Sequence, residues 1–168
     1  MRNELLLPAE GWYIVLTLFL SFVIGLLPLP KEWFVPDFLS LALLFWVVYQ
    51  PHRVGILTAW ILGLFVDIHR GVYLGEHALS YTVMAYCALV LNQRIRWFSV
   101  WGQVLHVVPV LMLGQLVRVA MRSYTGSGSS NWGLWLSCLV AGLLWPLICY
   151  ILLSRQRRVI ARDENRPL

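Results

Sequence analysis

The chain has 168 residues, 60% of them hydrophobic and only 12% charged, with nine Trp and a formal net charge of +5. Soluble domains carry about 25% charged residues, and here the apolar residues stand in long blocks; together these exclude a water-soluble globule and point to an all-α integral membrane protein. The excess Lys and Arg sits between blocks and in the C-terminal tail, where topology accounts for it, so the partner implied is the lipid bilayer and no nucleic acid.

Six apolar segments predict six transmembrane helices, two of them short, in a single polytopic membrane domain covering 1–168. The first, Gly11–Leu27, follows a weakly charged start with no small-x-small cleavage site, and reads as a retained span. The second spans 35–50, bounded by Pro36 and Pro51, and the third 54–68, running into Asp67. At ~1.5 Å per residue, about 14 apolar residues give roughly 21 Å against a hydrocarbon core of about 30 Å. These two therefore read either as short spans with interfacial ends, the preferred choice, or as a re-entrant hairpin. The remaining segments are 75–91, 97–121 and 132–153.

An even number of spans puts both termini on one side. That side holds nine basic residues, Arg2, Arg53, Arg94, Arg96, Arg155, Arg157, Arg158, Arg162 and Arg166; the other holds Lys31, Arg70, Arg118 and Arg122. The positive-inside rule places the termini in the cytoplasm and the Ser-Gly loop 125–131 outside.

This orientation gathers charge at the outer level. Asp67 ends the third span, Glu76 and His77 open the fourth, Asp37 opens the second, and Arg118 and Arg122 lie one turn apart near the end of the fifth. Intramembrane ionisable residues face a bundle interior and find partners there, so Arg118, Arg122 and Arg70 are the candidate partners of Asp67. The plainer reading is interfacial snorkelling, strongest for Glu76, His77 and Arg122. Gly71 and Gly75 form a GxxxG pattern, a packing face or a tight turn. His52 reads as interfacial, His106 as a packed polar residue, and Cys87, Cys138 and Cys149 as small buried hydrophobes. No nucleophile–base pair, paired-His metal spacing or phosphate-cradling loop occurs, so neither catalysis nor a cofactor is expected.

Three groups of residues resemble the rod shape-determining MreD family. They are Val35-Pro36-Asp37 with Phe45-Trp46 and Pro51-His52-Arg53-Val54; Gly63-x-x-x-Asp67-x-x-x-Gly71-x-x-x-Gly75; and Gly142-Leu-Leu-Trp145-Pro146, covering roughly Pro28 to Trp145. Family members often carry Asn just before that last glycine, where this chain has Ala141. The resemblance implies a bundle similar to the S components of energy-coupling-factor transporters, in the bacterial inner membrane. It also implies a non-enzymatic role in the cell-wall elongation complex, with MreC as the closest partner and MreB, RodA and its transpeptidase in the same assembly. A homo-oligomer and a vitamin-type transporter subunit stay open as alternatives. In this frame Asp67 either locks a closed bundle through an ion pair, the preferred expectation, or lines a pocket for a ligand or partner.

Overall fold

A computed structural model describes residues 10–27, 36–126 and 132–163, with side chains as far as Ser154. Lys31, Val35, Pro28 to Pro30, loop residues 127–131 and the side chains of Arg2 and the tail arginines lie outside the described residues. The described chain is all-helical: α1 (Gly11–Leu26), α2 (Phe38–Tyr49), α3 (Ile56–Arg70), α4 (Glu76–Trp97), α5 (Val100–Thr125) and α6 (Trp132–Asp163). Each apolar segment holds one helix.

The shortest helix is the axis of the bundle. Every residue from Leu39 to Val48 is buried, as a helix apolar on all sides requires, because α1, α4 and α6 sheathe α2. α3 shows the opposite pattern. Ala59, Gly63, Val66 and Asp67, at helical spacing, form one buried stripe, while Leu57, Trp60, Ile61, Phe65 and Ile68 are exposed. That stripe lies on α4, which in turn packs on α5, and α5 on α6.

Among the described residues, α5 and the 132–154 stretch of α6 are the two helices long and apolar enough to cross a membrane. Both expose leucines on their outer faces, among them Leu105, Leu116, Leu143 and Leu147. An apolar surface of this extent is covered by lipid or protein rather than water. Close approach between helices depends on glycine at three places. A Cβ on Gly63 would lie 2.6 Å from Ala78 N and 2.8 Å from His77 C, so α3 and α4 touch backbone to backbone there. Gly114 meets Met84 and Ser80 of α4, and Gly142 meets Val108 of α5.

Candidate functional site

The charged residues converge at the end of the bundle where α3 turns into α4. The turn itself is built on two glycines with positive φ, Gly71 at 61° and Gly75 at 108°. Both are left-handed conformations that glycine adopts at little cost, so this GxxxG pair makes a turn and the packing role falls to Gly63.

α4 starts at Gly75, which has no side chain to cap the helix. The first N–H groups of a helix need acceptors, and Asp67 supplies them from the neighbouring helix. Its Oδ2 accepts from Gly75 N at 2.9 Å and Ala78 N at 3.3 Å, and its Oδ1 from His77 N at 2.8 Å. Oδ1 also lies 2.8 Å from His77 Nδ1. Both side chains are fully buried. A carboxylate over a helix N-terminus meets the positive end of the dipole as well as the amides.

The proton on His77 follows from its other neighbour. Arg70 Nη1 stands 3.1 Å from His77 Nε2. A guanidinium only donates, so Nε2 accepts and Nδ1 carries the hydrogen that Asp67 receives. His77 is therefore a neutral bridge between acid and base.

The arginine expected to bond Asp67 directly is thus absent. Arg118 turns instead to Asp37, with Nη1 3.5 Å from Oδ2; Arg122 Nε bonds Glu76 Oε1 at 2.6 Å; and Arg70 reaches Asp67 only through His77. The physical reason is supply. Three backbone amides and a ring N–H already meet the two oxygens of Asp67, whereas Asp37 and Glu76 have fewer donors of their own. Asp37 accepts from the Tyr81 hydroxyl at 2.7 Å and weakly from Ser40 N at 3.4 Å, as the N-cap of α2. The cluster of Asp67, Arg70, Glu76, Arg118 and Arg122 is brought to one end, with His77, Asp37 and Tyr81 as members that link it. Gln115 Oε1 and Arg118 Nε are buried there without a hydrogen-bond partner among the described residues.

At the opposite end a neutral hub escaped sequence reasoning. Gln103, 3% exposed, accepts at Oε1 from Trp145 Nε1 at 3.0 Å and Tyr49 Oη at 3.2 Å, and donates to Phe98 O at 3.3 Å. It joins α2, α5 and α6. Trp46 of α2 ties to α1 by donating Nε1 to Thr17 Oγ1 at 2.8 Å. Pro51, His52 and Arg53 make the short turn between α2 and α3, with Arg53 Nη1 reaching over Gly11 at the start of α1. His106 packs on Phe98 in a tilted arrangement, with ring centroids 4.8 Å apart. Cys138 and Cys149 are buried and Cys87 half-buried, all as free thiols. Pro36 precedes the α2 cap, and Pro146 lies inside α6, one residue past the buried Trp145.

Among the described residues no group of three or more His, Cys, Asp or Glu is placed to hold a metal. The chemistry on offer is structural: acids met by donors, and bases by acceptors.

Comparison with known proteins gives two matches. The family model described as rod shape-determining protein MreD matches residues 10–155. A curated relative, the rod shape-determining protein MreD of Haemophilus influenzae, is 31% identical over 152 residues, covering 89% of this chain and 93% of the relative. No solved structure matches.

Proposed function

Because the chain belongs to the MreD family of rod shape-determining proteins, a structural family, we propose that it is a non-enzymatic scaffold subunit of the bacterial cell-wall elongation complex. In this reading it sits in the inner membrane as a six-span bundle with both termini cytoplasmic. It links MreC and the peptidoglycan synthases, RodA and its transpeptidase, to the filament protein MreB.

The observation that carries the scaffold role is the closure of the charged end upon itself. Asp67 is saturated by α4, Glu76 is taken by Arg122 and Asp37 by Arg118 and Tyr81. The acids that would recognise a transported solute are spent on holding helices together. The cleft beside them has a volume of about 10 Å³, room for about one water, against the ~300–1,000 Å³ of drug-sized ligand sites.

The exposed aromatics support the multi-pass arrangement. Trp12, Trp97 and Trp101 stand at one end of the bundle, and Tyr73, Tyr124 and Trp132 at the other. The rise from Trp101 to Tyr124 is about 34 Å, the separation of two aromatic belts flanking a hydrocarbon core of about 30 Å.

Two experiments test the reading. A periplasm-active reporter inserted at Ser127 is active and one fused after Leu168 is inactive; the reverse pattern overturns the orientation. Purification in mild detergent followed by mass spectrometry retains MreC with RodA, its transpeptidase and MreB. Recovery of a vitamin-sized ligand and an ATPase module in their place sinks the scaffold and leaves a transporter subunit.

A further inference from the structure

One cation of the charged end has no acid of its own. Arg118 faces Asp37 and Arg122 faces Glu76. Arg70, exposed at the last residue of α3, gives Nη1 to the neutral ring of His77 and has no carboxylate partner among the described residues. Its remaining N–H donors belong to a guanidinium, the group whose fork matches phosphate geometry.

Arg70 also stands on the wall of the narrow cleft between α1 and the helices behind it. Phe22, Leu26 and Val66 make its apolar side, and His69, Arg70 and Asp37 its polar end. α1 and α3 adjoin at this level through an edge contact of Phe22 on His69, ring centroids 6.5 Å apart. Val23 and Phe65, the sequence neighbours of lining residues, are exposed, so the apolar side continues onto the outer surface of the bundle. Asp37 is the acid on the cleft, and its charge is already matched by Arg118 and the Tyr81 hydroxyl.

We propose that the mouth of this cleft is a binding site for an anionic phospholipid, with the exposed Arg70 and His69 holding the headgroup phosphate and the exposed apolar surface of Val23 and Phe65 beside it taking the start of an acyl chain. The occupant is a lipid rather than a soluble anion for a physical reason. An exposed guanidinium alone gains little from an ion pair in water, and the apolar surface adds affinity only for a molecule that carries hydrocarbon beside its charge. The cleft itself has room for about one water, about 10 Å³, so the phosphate rests at its mouth and the chain runs along the exposed surface of Val23 and Phe65. Assignment to the outer leaflet rests on the orientation proposed above; the binding itself does not, and is measured in detergent without reference to sidedness.

The test uses the full chain, stripped of lipid in a neutral detergent, with unfolding followed by tryptophan fluorescence. Phosphatidylglycerol in mixed micelles raises the Tm of the wild type by several degrees, and phosphatidylcholine or inorganic phosphate does not. Arg70→Gln abolishes most of that rise. Gly25→Leu does the same with Arg70 intact, because Gly25 lines the cleft and a Cβ there meets nothing within 4 Å, so the variant folds and fills the site. Arg94→Gln, an exposed arginine at the far end of α4, retains the full response. Should Arg70→Gln fail to fold, Gly25→Leu decides. An undiminished response in Gly25→Leu, an equal response to phosphatidylcholine, or a response to inorganic phosphate alone overturns the proposal.

Discussion

At the α3–α4 turn, helices are joined through carboxylates: Asp67 to three amides and a histidine, Asp37 to a tyrosine and an arginine, Glu76 to an arginine. At the opposite end, three helices meet on the neutral amide of Gln103. The two ends hold similar numbers of helices with different chemistry. A buried charge is stabilising only while each of its partners stays in place, since losing one side leaves an ion in a poorly solvating medium. Losing a neutral amide leaves its donors unpaired, at about 1–3 kcal/mol, but strands no charge. The charged end is therefore the more exacting of the two.

Asp67→Ala gives the largest expected effect. It strips acceptors from three amides and from His77, and at about 1–3 kcal/mol for each buried donor left unpaired is expected to cost at least about 3 kcal/mol in all, measured by reversible denaturation in mixed micelles. Asp67→Asn recovers less than half, because its NH2 group faces the very N–H donors that Oδ2 accepted. Arg118→Met in the Asp67→Ala background gives no rescue, since Arg118 belongs to Asp37; recovery there would restore the direct Asp67–Arg118 pair as the lock.

Gln103→Leu comes next, at about 1–3 kcal/mol, from orphaning the Tyr49 hydroxyl and the Trp145 indole N–H. A loss equal to that of Asp67→Ala would erase the distinction between a charged and a neutral end. Arg122→Gln is the mildest, at about 1 kcal/mol or less, because Arg122 is 29% exposed and Glu76 keeps the favourable field of the α4 N-terminus. A larger loss would show that Glu76 depends on Arg122 rather than on the helix, and would sharpen the contrast further.

Much of this arrangement was readable in the chain. Apolar blocks gave the starts of the six helices to within three residues, although α4 runs six and α6 ten residues past the end of its block, and the depth of each charge along its block predicted that Asp37, Asp67, Glu76, Arg118 and Arg122 meet at one level. The partner of Asp67 was not readable, because opposite charge suggests arginine while a backbone amide has no letter in the sequence. A signal did exist. α4 begins Gly75-Glu76-His77 with no Ser, Thr, Asp or Asn at its cap, and an unassigned acid lies eight residues earlier. The Gln103 hub was hidden for another reason, since Tyr49, Gln103 and Trp145 are 54 and 42 residues apart. Only the oddity of a glutamine inside a membrane-length helix pointed to it.

The capping of α4 by Asp67 bears on how such a chain enters a bilayer. Emerging alone, α3 would present a bare acid to hydrocarbon, and insertion scales penalise that by about 2.5–3.5 kcal/mol at the centre of a helix. The donors that relieve it lie only 8 to 11 residues further along. At ~5–20 residues per second of synthesis, the ribosome delivers them about a second later. In the six-span reading proposed above, the two helices would thus partition as a hairpin, with Asp67 reaching the translocon already enclosed by the first turn of the helix that follows it.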